Sequence, residues 1–256
     1  MAWTINNGKL YFNSKLYTGN GGTNVVTGVG FNSDFTWIKN RATTGNHALF
    51  DKINGVTKYL NSNNQNGLAT SAPTLTAWSS DGFTIGSSTD LNGNGNGIAS
   101  WNWLANGAGS ANTDGDINST VSANTTSGFS IVTYTGTGSN ATIGHGLGAA
   151  PSMIIVKDLS EDNYDWMVYH QSLGATKYIR LNLTSAVSTS TVWQDTAPTN
   201  QVFSVVSNSS DVNKSGNNFI AYCFANVQGF SKMGSYVGNG STNGTFIYTG
   251  FRPAFA

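Results

Sequence analysis

One short phrase occurs three times in this chain, as Tyr17-Thr18-Gly19-Asn20-Gly21, Tyr134-Thr135-Gly136-Thr137-Gly138 and Tyr236-Val237-Gly238-Asn239-Gly240. A chain with internal copies of this length folds as copies of one supersecondary unit, which limits the architecture before any residue is given a chemical role. Each phrase leads into a turn: Gly30-Phe31-Asn32-Ser33-Asp34-Phe35, Gly148-Ala149-Ala150-Pro151-Ser152-Met153 and Gly250-Phe251-Arg252-Pro253-Ala254-Phe255. In the first two copies an apolar run ending in lysine follows, Thr36-Trp37-Ile38-Lys39 and Ile154-Ile155-Val156-Lys157. The match continues through Thr57-Lys58-Tyr59-Leu60 with Thr176-Lys177-Tyr178-Ile179, and through Trp101-Asn102-Trp103 with Tyr222-Cys223-Phe224. Tyr17 and Tyr134 lie 117 residues apart, and Trp101 and Tyr222 lie 121 apart, so insertions are confined to loops and the strand order is kept.

The expected organisation is a first module over residues 1–105, a linker over 106–127, a second module over 128–228 and the start of a third repeat over 229–256. That third repeat is expected to be truncated, and its segment either adds a strand to a neighbouring module or subunit or completes the second module itself, because a lone half-unit cannot bury its apolar face. Phe35 to Lys39, Ser152 to Lys157, Tyr178 to Leu183, Gln201 to Val206 and Phe219 to Phe224 are short, β-branched or aromatic, and bounded by Gly, Asn and Ser. They read as strands. Only Leu104 to Gly109 and Asp162 to Leu173 could hold a helical turn, and neither has a sustained 3.6-residue stripe or good caps; surface loops are expected at Asn61 to Gly67, Asp90 to Gly97 and Ser207 to Asn218. The fold class is therefore all-β, with antiparallel sandwiches favoured over barrels: tandem jelly-roll-like sandwich modules and a truncated third repeat.

Charged residues make up 9% of the chain, against about 25% in ordinary soluble domains. A surface of Asn, Ser, Thr and Gly resists strand-to-strand association poorly, which suits a subunit of a larger assembly; a neutral adhesive surface on a monomer is the other reading. Twelve basic and twelve acidic side chains cancel without a Lys/Arg run, so neither nucleic acid nor an anionic membrane is an expected partner. The N-terminus carries no leader pattern, and no apolar run reaches the length of a membrane span. The Asn-x-Ser/Thr sequons, such as Asn118-Ser119-Thr120, are expected to be unmodified. Cys223 reads as a small core hydrophobe.

Motifs for chemistry fall short. Gly19-Asn20-Gly21 lacks the third glycine and the helix of a dinucleotide loop, and Gly-rich turns explain it. Asp90-Leu91-Asn92-Gly93-Asn94-Gly95 opens like a calcium loop, but Trp101 stands where the closing glutamate belongs; Asn112-Thr113-Asp114-Gly115-Asp116 also lacks a distal acid. His47, His145 and His170 are scattered, so no metal and no cofactor are expected. Glu161 is the one glutamate and sits in a polar stretch, and no spacing of aspartates recommends a glycosidase pair. The chain is read as no enzyme, with a depolymerase the third choice. Trp37, Trp101 and Trp103 share one face of their strands and read as core. The loop aromatics Tyr164, Trp166 and Trp193 are the candidate glycan contacts.

Gly128-Phe129-Ser130-Ile131-Val132-Thr133-Tyr134-Thr135-Gly136, Gly144-His145-Gly146-Leu147-Gly148 and Ile154-Ile155-Val156-Lys157 resemble a module recurrent in tail-fibre-like and other virion proteins of marine bacteriophages. Tyr169-His170, Leu173 to Tyr178, Trp193, Asp195-Thr196-Ala197-Pro198 and Ile220 to Phe224 follow in that family's order. The resemblance covers roughly residues 105–256 well and the first module more loosely. It implies a virion structural protein, a tail fibre, spike or capsid-surface decoration subunit, assembled in the host cytoplasm and serving assembly and host attachment. The partners expected of such a part are further copies of the chain, a trimer being slightly favoured, and other virion proteins, with a host surface glycan as a further candidate. The resemblance itself supplies neither a ligand nor a catalytic residue. The alternative reading is a glycan-binding, lectin-like module.

Overall fold

A computed structural model describes Ile5 and residues 7–256 of the chain. Alternating side chains and Gly/Asn turns give strands throughout. The first half contains β1 (Phe12–Thr18), β2 (Asn24–Thr27), β3 (Phe35–Asn40), β4 (His47–Asp51), β5 (Lys58–Asn61), β6 (Ala69–Thr70), β7 (Leu75–Ser79), β8 (Gly82–Ile85) and β9 (Gly97–Trp103). The second contains β10 (Ser110–Asn112), β11 (Ser119–Asn124), β12 (Phe129–Thr135), β13 (Ala141–Gly144), β14 (Met153–Asp158), β15 (Met167–His170), β16 (Lys177–Arg180), β17 (Ser188–Thr189), β18 (Val202–Val205) and β19 (Asn218–Phe224). All paired strands run antiparallel.

The large sheets have orders β1-β9-β3-β4-β5-β6 and β10-β11-β12-β19-β14-β15-β16-β17. Without β10 and β11, the second is the first repeated strand for strand. Smaller sheets complete each sandwich: β2-β8-β7 covers the first large sheet and β13-β18 the second. The chain is an all-β pair of sandwiches.

The two large sheets also pack on each other, which gives four layers and three cores. Along β19, Phe219, Ala221 and Cys223 face the β13-β18 layer, while Ile220, Tyr222 and Phe224 face the first module. Both faces are buried, so this strand is a continuous apolar run instead of an alternating one. The middle core joins Phe35, Leu49 and Leu60 to Phe129, Ile155, Trp166 and Tyr222. Trp103 packs there and Trp37 and Trp101 lie at its margin, all three half-buried.

The repeated phrase has one structural role in both modules. Tyr17 donates its hydroxyl to the Leu91 carbonyl at 2.8 Å and meets Phe83 edge-on; Tyr134 donates to the Val212 carbonyl at 2.7 Å and meets Phe203 edge-on. A buried asparagine then holds the glycine turn. Asn92 accepts from the Asn20 amide at 3.0 Å and donates to the carbonyls of Gly22 and Gly86. Asn213 accepts from the Thr137 amide at 3.0 Å and donates to the carbonyls of Ser139 and Val206. The first glycine of the phrase is forced by proximity: a Cβ on Gly19 would lie 2.2 Å from the Gly93 carbonyl oxygen, and one on Gly136 would lie 2.3 Å from that of Lys214. Gly21 and Gly138 both have φ of 72°, where glycine is favoured. The lysine that ends the first long strand is also reused. Lys39 donates to the Thr43 and Gly45 carbonyls of its own hairpin, and Lys157 to the Tyr164 carbonyl of the equivalent one.

Some expectations differ from the structure. Residues 106–127 are no bare linker, because β10 and β11 extend the second sheet beyond β12. Helical turns occur at Gly8–Leu10 and Thr89–Asn92; Leu104 to Gly109 is a turn, and Asp162 to Leu173 contains β15, whose Met167, Val168 and Tyr169 are drawn into the sheet by burial. Asp90 to Asn92 belong to that second helical turn, while 93–96 and 207–217 are loops, and these stretches nonetheless bury Leu91, Asn92, Val212 and Asn213. In 61–67, Asn61 and Ser62 are buried too. Replacing Asn213 by alanine strands several buried backbone partners, so Asn213→Ala is expected to lower stability by about 2–3 kcal/mol in denaturant melts. The exposed Asn200→Ala is expected to stay within about 0.5 kcal/mol of the parent.

Candidate assembly surface

The candidate glycan contacts do not form a platform. Trp166 is fully buried in the middle core and donates its indole N–H to the Asn61 carbonyl at 3.0 Å. Trp193 is buried in the second module against Tyr169. Both lie outside strands, where sequence suggests exposure, but the loops carrying them fold under the sheets. Tyr164 is half-buried at the surface, with the Lys214 ammonium 5.5 Å from its ring centroid. Lys214 also pairs with both carboxylate oxygens of Glu161 at 2.7 Å, and that contact holds Glu161 below the usual carboxylate range.

The other groups weighed from sequence are structural. Among the described residues, no three His, Cys, Asp or Glu side chains gather as a metal site would require. Asn92 of the calcium-like stretch serves the turn described above, and Asp116 binds the amide and hydroxyl of Thr142. His145 is buried, and desolvation lowers its pKa. Burial pushes the Cys223 thiol up to about 12, so it stays protonated within the core. No helix of the described residues is long and apolar enough to cross a membrane.

The seam between the modules is polar at its edges and fixed. Leu68 donates its amide to the Leu159 carbonyl at 2.9 Å, and the Gly67 amide donates to Asp162 at 2.8 Å. Buried Lys157 donates to the Gln65 carbonyl across the seam at 3.0 Å; desolvation lowers its pKa despite the nearby aspartates. Tyr222 donates its hydroxyl to Asp51 at 3.2 Å inside the middle core. Burial raises the pKa of Asp51, outweighing the hydrogen bonds from Asn54 and Tyr222 that favour its anion.

The third phrase stands apart. Its segment is tied down at both ends: Phe230 packs on Tyr11, Gln171 donates to the Met233 carbonyl at 2.7 Å, and Phe255 covers Phe12, Trp101 and Trp103. Between these anchors, residues 234–248 project into solvent. Tyr236 is 66% exposed where Tyr134 is 4%, and Val237 and Phe246 are 86% and 87% exposed. An apolar side chain of this size contributes about 1.5–3 kcal/mol when fully buried, so the segment holds back a substantial part of its folding energy. Exposed apolar clusters of this kind mark interaction surfaces.

The chain belongs to the DUF7483 family, a domain of unknown function whose model matches residues 7–256. No curated protein and no solved structure matches it. The family match is one continuous span over both sandwiches and the projecting segment, in keeping with modules joined through a shared core.

That shared core gives a pH signature. A carboxyl whose folded pKa is raised contributes stability fully present below its unfolded pKa and lost as pH rises through the folded value. The stability difference between the parent and Asp51→Asn should therefore move against the parent as pH rises from about 4 toward neutrality, read by denaturant melts along a pH series.

Proposed function

We propose that this chain is a structural subunit of a bacteriophage particle, a tail-fibre, spike or capsid-surface decoration component that acts in assembly and host attachment. The observation that carries the assembly part is the projecting third phrase, an apolar segment with the repeat's turn chemistry, held out from a rigid four-layer body. The scarcity of charge supports it, since nothing electrostatic opposes close contact between copies. The assignment to a phage particle rests on the likeness of the second module to virion modules. Attachment through many weak contacts requires no deep pocket, and multivalency supplies the affinity.

A lectin-like module is the weaker reading, because two of its three candidate aromatics are buried and the ring of Tyr164 is occupied by Lys214. The two readings differ in solution. The assembly reading predicts that the purified full chain sediments as a defined oligomer at micromolar concentration and gives no signal on a glycan array that Tyr164→Ala abolishes. A monomer at every concentration, with array binding lost in Tyr164→Ala, would establish the lectin instead.

A further inference from the structure

We infer that the third phrase is a plug for the first-module socket of a second copy of this chain, so that copies join head to tail by strand exchange. The inference rests on the assembly reading above and specifies its contact.

In each module the phrase is a plug and the later strands are its socket: an aromatic ring, a carbonyl for the tyrosine hydroxyl, and a buried asparagine. Among the described residues, the third phrase has the plug's shape without a socket. Asn239 accepts from the Ser241 amide at 3.1 Å, as Asn20 accepts from Gly22 at 2.9 Å, and Gly240 has φ of 66° against 72° at Gly21. Gly238 is the telling residue. Its counterparts Gly19 and Gly136 must be glycine because a socket carbonyl leaves no room for a Cβ, yet nothing lies within 4 Å of a Cβ at Gly238. Its φ does not require glycine either. The residue suits a contact that the described residues do not make with one another.

The first socket is the one that fits. It pairs two asparagines reciprocally, with Asn92 donating to the Asn20 side chain at 3.0 Å and accepting from the Asn20 amide. Asn239 repeats Asn20, whereas the second module has Thr137 there. The first socket is also the accessible one. β1 pairs only with β9 among the described residues, while β12 is held by both β11 and β19. The exchange would give Tyr236, 66% exposed here, the place of half-buried Tyr17 against Phe83. A head-to-tail contact of this kind propagates into rings or filaments.

The test is sedimentation of the full chain over a concentration series, before and after warming that loosens β1 and slow cooling. The wild type is expected to gain mass after this treatment. Gly238→Val is expected to melt at the same temperature yet to need about tenfold or more protein for the same assembly, because its side chain would strike the socket carbonyl. Gly19→Val, which ejects the chain's own plug, is expected to assemble more readily than the wild type, and adding Gly238→Val to it to reverse the gain. Where Gly19→Val does not fold, the comparison of wild type with Gly238→Val decides. Equal mass distributions for those two overturn the exchange and leave the assembly reading standing, whereas a wild type that stays monomeric throughout removes both.

Discussion

The structure depends on a single solution to a backbone problem, reached twice. A turn such as Gly19-Asn20-Gly21 presents several amides and carbonyls within a few residues, and burying them unpaired would each cost about 1–3 kcal/mol. Asn92 and Asn213, both fully buried, supply a matching donor and acceptor from the far side of the sandwich. Because each amide bonds groups in both the phrase and the strand before it, the start and end of a module are fixed to each other. The tyrosine hydroxyl adds a second such bond, to the residue just before the asparagine. Closure of the sandwich follows from these contacts, and the small sheets can then be as short as β13 and β18.

With each module closed, the large sheets still present an apolar outer face, and they bury it on one another. This explains a contrast within the repeat: β19 reads Phe-Ile-Ala-Tyr-Cys-Phe, apolar on both sides, whereas β9 carries Ser100 and Asn102 on its inner face. Asn102 bonds the Asn13 carbonyl and Ser100 bonds that of Lys15, so these polar residues stitch β9 to the edge strand. The middle core contains a buried carboxyl, Asp51, bonded by the Tyr222 hydroxyl, so the contact between the modules includes a directional bond as well as apolar packing.

Much of this was legible in the sequence. That the two modules share one strand order, and which positions correspond, follows from matching Tyr17 with Tyr134 and Lys39 with Lys157, because repeats carry topology with them, and the all-β class follows from the short β-branched and aromatic runs. What could not be read was contact between elements distant in sequence. Trp166 and Trp193 have loop-like neighbours, and only the packing of the loops beneath the sheets reveals their burial. Asn92 and Asn213 sit in Asn/Gly-rich stretches whose composition suits solvent, and their hooks are visible only with the phrases they hold in place. Their offset between the modules was the available signal: Leu91-Asn92 and Val212-Asn213 recur at the same 121-residue offset as Trp101 and Tyr222.

The two modules differ most where the repeat was interrupted. Residues 106–127 add β10 and β11 outside β12, which moves the open edge of the second sheet away from the phrase-bearing strand. On the first sheet, β1 bears the phrase and is itself at the margin, with Leu16 63% exposed. Edge strands with apolar side chains are the ones that accept further pairing, and an added hairpin is one of the devices that close them. The insertion thus leaves the molecule with one closed and one accessible plug site although its modules share a fold. On the proposed exchange that asymmetry gives the body a direction, since the edge strand β1 lies in the first module and the exposed phrase follows the second.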